Sequence, residues 1–529
     1  MQLTVPIDVL HLLHHLKEHG FQAYIVGGSV RDLLMGNEKP NDWDFTTNAK
    51  PEEIQKLFPE SFYENEFGTV AITRKHIAEQ FGLPQLTQAN MMKRESEVRD
   101  QGLGARTIDL ESATKIHTSL SEPSLETDAF QDESDVDDLF EITTFRSDGI
   151  YTDHRRPEEV TWGKTLEEDL ARRDFTINAM AIEINSNVQI PNAKDSSTFA
   201  ETFNLEPSAY TLIDPYNGVQ DLEDKIIRTV GDPHVRFQED ALRMIRAIRL
   251  STQLLFEIES QTLEAISQHA STLVHISAER IRDEFLKMLA SDSPVEAILQ
   301  LEKVNLLQIL LPELLEAKNI EQGGHHTTNV WEHSLASLEN CPSPDPIVRF
   351  ATLIHDIAKP RTQGRNGNTI TFYNHEIVGA RIAKDIAYRF KLSKKDINRM
   401  YILVRYHMFY YQPENTDASI RRFMRKVGLE NINDIIDLRI GDRLGSGARE
   451  TSWRLEEMKK RMQEQLNQPF DVNDLAIDGN DLMKEFNLKP GPQIGKILHT
   501  LFEEVLEKPE LNTREILLEK ADKLINRSS

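Results

Sequence analysis

The chain has 529 residues, too many for one hydrophobic core and, at about 150 residues per domain, enough for three or four units. A composition of 39% hydrophobic and 28% charged residues excludes collagen-like, low-complexity and wholly disordered chains, and no apolar run approaches the ~20 residues of a membrane helix. The net charge of −25 argues against a polyanionic partner only on average: residues 119–141 hold many acids and no Lys or Arg, whereas arginines cluster at Arg243, Arg246 and Arg249. A single cysteine, Cys341, excludes an intrachain disulfide and a Cys-based zinc site, and fits a reducing, cytosolic compartment.

In chain order, residues 1–20 read as an amphipathic helix, because His11, His14, His15, Lys17 and Glu18 interrupt what would otherwise be a signal core. FQAYIV then reads as a strand, Gly27-Gly28 as a turn, residues 29–35 as a helix, and the next strand carries Asp42, Trp43, Asp44 and Phe45. Between 77 and 139 the alternation fails and the stretch turns polar, then acidic, which predicts an insertion. Strand patterns resume at LFEITTF (139–145), 178–184 and 210–213, and from about 220 the apolar spacing becomes helical. The predicted architecture is an α/β head with a small mixed sheet over 1–215, then an all-α remainder: a neck over 216–315, a histidine-rich unit over 316–466 and a tail over 467–529, broken by KPGPQIG.

Two features of the head carry chemistry. In YIVGGSVRDLLMG, glycines between strand and helix let backbone N–H groups approach an anion at Gly28, with Arg31 in reach of the same phosphates. In Asp42-Trp43-Asp44, alternate strand residues share a face, so both carboxylates converge and call for a cation; Mg²⁺, held by carboxylates and substrate phosphates together, is the natural one.

GGSVRDLLMG, NDWDF, LEEDLARRDFTINAMAI and LIDPYNGVQDLEDKIIRTVGDPHVRFQEDALRMIRAIRL, in this order, resemble the motifs of class II tRNA nucleotidyltransferases (CCA-adding enzymes) and bacterial poly(A) polymerases over most of residues 20–290. The resemblance implies a nucleotide site at Gly27, Gly28 and Arg31 for the phosphates, Asp42 and Asp44 for Mg²⁺, and Arg173 of the RRD triplet for the nucleotide, with Asp174 bracing that turn. It further implies that Asp240 and Arg243 read the incoming base, with Arg246 and Arg249 nearby. A carboxylate accepts from the exocyclic amine that C and A share, and a guanidinium donates to the adjacent ring nitrogen, so U and G present mismatched edges. The i, i+3, i+6, i+9 spacing predicts one helix face for these four residues, with Leu242, Ile245 and Ile248 packed behind.

His333, the pair His355-Asp356 and Asp442 have the residue types and order of HD metal-dependent phosphohydrolases, which 316–466 resembles; His375 and His407 stand where that family places further ligands for a second metal, and Lys359 where it meets phosphate. Imidazole with carboxylate suits Mn²⁺, Fe²⁺, Ni²⁺ or Mg²⁺. Trp43 and Trp331 read as packing residues, and Arg421, Arg422, Arg425 and Lys426 as either a solvated face or a patch tracking tRNA.

The function implied is transfer of CMP and AMP from CTP and ATP to tRNA 3′ ends, with phosphohydrolase activity on RNA ends as a possible addition. The alternatives are a poly(A) polymerase or a CC- or A-adding enzyme, and, in a different class, a phosphohydrolase whose head only binds nucleotide or RNA.

Overall fold

The computed structural model describes residues 1–37, 43–63, 68–83, 139–147, 161–190, 202–321, 328–367, 369–450, 452–466 and 468–527. These form two compact units that divide after Pro312. Among the described residues no helix is long and apolar enough to cross a membrane.

The first unit opens with a strand that periodicity missed: β1 (Leu3–Pro6) precedes helix α1 (Ile7–Glu18) and pairs with Thr202–Leu205, some 200 residues away. Helix α1 buries Leu10, Leu13 and Leu16, as its amphipathic spacing requires. Next come β2 (Ala23–Val26), α2 (Gly28–Leu34), β3 (Trp43–Thr47), α3 (Pro51–Leu57), β4 (Phe62–Tyr63), β5 (Thr69–Thr73) and α4 (Arg74–Phe81). Helix α4, capped by Thr73 and ended by left-handed Gly82, carries regular structure past the expected start of the insertion at 77; its Ile77 is buried. The rest of that insertion, 84–138, lies outside the described residues.

The chain continues with β6 (Leu139–Thr144), β7 (Arg146–Ser147), β8 (Thr161–Trp162), β9 (Ala181–Ile184), β10 (Thr202–Leu205) and β11 (Tyr210–Ile213). The strand expected over 178–184 starts only at Ala181, because Thr176–Asn178 form a 3₁₀ turn. Seven strands make one mixed sheet, ordered β11-β9-β2-β3-β6-β5-β4, in which only the β3–β6 pair is parallel. Period-two alternation turns Trp43, Phe45, Phe140 and Ile142 into a core shared with α1. It leaves Asp44 and Glu141 on the other face, side by side in register.

Beyond the sheet the first unit is helical, with two packed helices that matter for the site, Leu242–Leu254 and Ala278–Leu289. The second unit is built almost wholly of helices. Its C-terminal part has its own core around Leu482, Leu501, Phe502 and Leu517. The expected basic patch is absorbed there: Arg421 is buried and donates to the carbonyls of Leu506 and Glu507, Arg422 pairs with Glu507, and Arg425 pairs with Glu503 and lies over the Phe502 ring. Arg421 is thus a structural piece of this packing, while Arg422 and Arg425 keep part of their surface exposed. Trp43 and Trp331 are buried, as packing residues should be.

Candidate functional site

Strand β2 ends where Gly27 takes φ +75°, a backbone that L side chains rarely adopt. A Cβ on Gly27 would stand 2.8 Å from Arg173 Nη1 and 3.0 Å from Asp44 Oδ2, so both side chains border the space left by the missing one. Of the two glycines, Gly27 rather than Gly28 makes the close approach; Gly28 opens α2, with only the Arg31 guanidinium nearby. The Asp44 amide donates to Ser29 Oγ (3.0 Å), tying β3 to the same turn. Arg31 is held by Asp32 (Nε to Oδ1, 2.7 Å) and by Asn178 (Nη1 to Oδ1, 3.0 Å). Asp42 lies outside the described residues.

Above this turn opens a cleft of about 340 Å³, lined by six arginines (146, 172, 173, 243, 246 and 280) against four carboxylates (Asp44, Glu141, Asp174 and Asp240). An acidic chain thus presents a locally cationic pocket, the condition for holding a triphosphate. Arg172 and Arg173 are both anchored on fully buried Asp169 (3.0 and 3.2 Å). Arg146 donates to Thr69 Oγ1 (2.8 Å), and burial, then the neighbouring Arg172, pull its pKa down to about 10. The Nε groups of Arg146 and Arg173 make no hydrogen bond among the described residues.

Asp240 and Arg243, the pair expected to read the base, both line the cleft but do not share one helix. Asp240 ends the helix Pro233–Glu239 and caps the next one by accepting from the Leu242 amide (3.0 Å), so the expected four-residue face begins only at Arg243. Leu242, Ile245 and Ile248 are buried behind it as expected. Arg280 grips Asp240 (2.7 and 3.4 Å), while Arg243 is set by Glu239 (2.7 Å) and by the Arg172 carbonyl (2.9 Å). Arg246 bonds Asp174 (2.7 Å). Burial would raise the Asp174 pKa, but Arg246 and Arg243 hold it down to about 2. Arg249 is not among the cleft-lining residues; it pairs with Glu284 (2.5 Å).

Sequence reading missed Arg146, Arg172, Arg280 and Glu141. Glu141 had a signal, since alternation in LFEITT places it opposite Phe140 and Ile142. Arg280 had none, because its partner Asp240 is 40 residues away. For a divalent cation the fit is favourable: Asp44 and Glu141 lie in register on adjacent strands and both line the cleft.

In the second unit His333, His355, Asp356, His375, His407 and Asp442 converge. The ligand atoms of His333, His355 and Asp356 lie within 4.8 Å of one another, as do those of Asp356, His375 and His407, with Asp356 shared. His333 Nε2 is 3.2 Å from Asp442 Oδ1. Gly441 and Gly445 permit this: a Cβ on either would stand 2.6 Å from the Ser337 carbonyl or 2.5 Å from the Ser337 hydroxyl, so the helix Ile432–Gly445 lies against Val330–Glu339 backbone to backbone. His355, His375 and His407 each place Nδ1 on the carbonyl three residues back (2.7, 2.8 and 2.8 Å). A carbonyl only accepts, so Nδ1 carries the proton and Nε2 is the atom turned toward Asp356. The buried Nε2 of His407, 3.7 Å from Asp356 Oδ1, makes no hydrogen bond among the described residues. Imidazole nitrogens and carboxylates packed this closely are the donor set of a cation site. Lys359 Nζ lies 2.5 Å from Asp356 Oδ2, against the expected ligand itself. His325 and His326 lie outside the described residues.

A mixed sheet with a glycine turn, a strand-borne carboxylate and a cationic cleft is the build of a nucleotidyltransferase. The comparisons agree: the family model described as "Poly A polymerase head domain" matches residues 23–129 and 97–228, and that for tRNA nucleotidyltransferase domain 2 matches 373–521. The A-adding tRNA nucleotidyltransferase of Deinococcus radiodurans is 33% identical over 357 residues, covering 64% of this chain and 75% of that protein. The CCA-adding enzyme of Ligilactobacillus salivarius is 28% identical over 528 residues, covering 98% and 96%. The crystal structure of the Bacillus stearothermophilus CCA-adding enzyme in complex with CTP aligns over 98% of both chains with a TM-score of 0.61 at 23% identity, which establishes a shared fold. This chain belongs to the tRNA nucleotidyltransferase family.

Proposed function

We propose that this chain adds CMP and AMP, from CTP and ATP, to the 3′ end of tRNA, completing CCA. The observation that carries the reading is that Asp44 and Arg173 both border Gly27 and line a cleft that also presents Asp240 and Arg243. The RNA 3′-hydroxyl oxygen bonds to the α-phosphorus of the bound nucleotide, and pyrophosphate leaves. A divalent cation, Mg²⁺ being the fitting one, held by Asp44, with Glu141 in register beside it and Asp42 the second ligand that the sequence motif implies, would supply Lewis-acid polarisation of the transferring group. Arg173, Arg172, Arg146 and Arg31 take up the triphosphate charge. Asp240 and Arg243, braced by Arg280 and Glu239, accept from the exocyclic amine and donate to the ring nitrogen of C or A. On this reading residues 1–215 are the catalytic head and 216–315 the base-selecting neck, which a family model described as "Probable RNA and SrmB- binding site of polymerase A" overlaps at 255–318. The test is incubation with tRNA lacking CCA, giving CTP and ATP singly and together. Ordered addition of C, C and A that then stops supports the reading, whereas A alone on such tRNA marks a narrower enzyme like the Deinococcus relative.

A second activity has its own observation, the five side chains His333, His355, His375, His407 and Asp442 that converge around Asp356. We read 316–466 as an HD-type metal site, His333, His355, Asp356 and Asp442 holding one divalent cation and His375 and His407 serving a second, for hydrolysis of phosphoesters at RNA ends. Residues 467–529 form the tail of this unit. Titration of an Asp44→Asn protein with Mn²⁺ or Ni²⁺ should show saturable binding that His355→Ala weakens; no binding by that protein would refute the site. Release of phosphate from cyclic or 3′-phosphorylated nucleotides then tests the chemistry.

A further inference from the structure

Arg31 and the base-reading helix are joined by two side chains to which the reading above gives no part in binding substrate. Asn178 is buried in the 3₁₀ turn Thr176–Asn178. That turn is pinned by Thr176 Oγ1 to Asp221 (2.6 Å) and by the Thr176 amide to the Arg228 carbonyl (2.9 Å). Asn178 Oδ1 accepts from Arg31 Nη1 at 3.0 Å, and its Nδ2 points at Asp174 Oδ1 at 3.4 Å. The amide orientation is fixed by its neighbours, because guanidinium can only donate and an ionised carboxylate only accept. Asp174 Oδ2 in turn accepts from Arg246 Nε at 2.7 Å.

We propose that Asn178 is a positioning residue that orients Arg31 for the triphosphate and, through Asp174, links it to Arg246 on the base-reading helix. An amide has one accepting and one donating end, so it can join a cation to an anion without adding charge to a crowded site. Alanine would release both ends. Aspartate would keep the acceptor for Arg31 but set a second carboxylate against Asp174. Arg31 lies over the glycine turn, its Nη2 3.4 Å from where a Gly28 Cβ would stand. A loosened guanidinium therefore weakens nucleotide capture more than turnover.

The inference rests on the nucleotidyl-transfer reading, so it is tested by binding as well as by addition. In the full-length protein, Kd for CTP and ATP with Mg²⁺, KM, kcat and melting temperature are measured for Asn178→Ala, Asn178→Asp, Arg31→Ala and the double variant Arg31→Ala/Asn178→Ala. The expected result is a roughly tenfold rise in Kd and KM for both nucleotides in Asn178→Ala, with kcat within about threefold. Once Arg31 is alanine, Asn178→Ala should add less than about twofold. Asn178→Asp should recover most of the nucleotide affinity even though it melts lower. A purely structural role predicts the reverse, with Asp no better than Ala and the Arg31 and Asn178 effects multiplying; either outcome overturns the proposal. A parent protein that binds CTP and transfers nothing sinks the transfer reading alone, and the coupling is still decided by the Kd values.

Discussion

Replacing Gly27 by alanine separates the stability of the head from the geometry of its site. Gly27 stands at φ 75°, ψ −138°, outside the left-handed helical basin and close to a region used almost only by glycine, where holding an L-residue costs roughly 1–3 kcal/mol. The new Cβ would meet Arg173 Nη1 at 2.8 Å and Asp44 Oδ2 at 3.0 Å, where ordinary contact begins at 3.4 Å, so each group must retreat by about half an ångström. Both atoms are ends of side chains and can move, which keeps the folding cost near that of the backbone. The reaction is less forgiving: a misplacement of about 1 Å costs on the order of 100-fold, and here two groups shift by about half that distance. Gly27→Ala should therefore lower kcat for nucleotide addition about 10- to 100-fold while unfolding changes by about 1–3 kcal/mol. Gly28→Ala is the control, with no positive φ and only Arg31 Nη2 at 3.4 Å, and should stay within about threefold. Single-turnover extension of tRNA lacking CCA, run beside chemical unfolding, measures both. A Gly27→Ala enzyme with kcat within about twofold of the parent would refute the claim that the placement of Asp44 and Arg173 beside this glycine matters for transfer.

Asp44→Asn should cost about three decades of addition rate, several kcal/mol of electrostatic stabilisation, with little change in melting temperature; residual activity above a tenth would place the essential carboxylates elsewhere. Asp174 has its folded pKa depressed from 3.8 to about 2, so its contribution of about 2 kcal/mol is present above pH 4 and is lost as pH falls through about 2. Urea unfolding across pH 2–5 should show this slope, and Asp174→Asn should flatten it. Arg421→Ala removes a buried guanidinium from the carbonyls of Leu506 (2.7 and 2.9 Å) and Glu507 (3.2 Å), and should destabilise the second unit by about 2–4 kcal/mol. Arg422→Ala, removing a half-exposed pair, should change it by less than about 0.5 kcal/mol, as read by guanidinium unfolding.

The sequence by itself determined the local pieces. Period-two alternation identified the strands around Asp44 and Glu141, helical spacing identified the buried face at Leu242, Ile245 and Ile248, and the order His333, His355-Asp356, Asp442 named a set that does converge. The strand and helix signals are legible because each depends on residues within a few positions of one another, whereas the histidine set, spread over about a hundred positions, is legible through its resemblance to a known family. Tertiary structure alone decided which groups hold which. It made Gly27 rather than Gly28 the point of close approach, took Asp240 off the helix face into a cap gripped by Arg280, sent Arg249 to Glu284, and buried Arg421 in a helix contact. It also paired β1 with β10 across 200 residues of chain. Charged side chains carry no periodic trace of their partners: the Arg280–Asp240 and Arg246–Asp174 pairs join residues 40 and 72 positions apart, and only packing of the elements between them brings the charges within bonding distance.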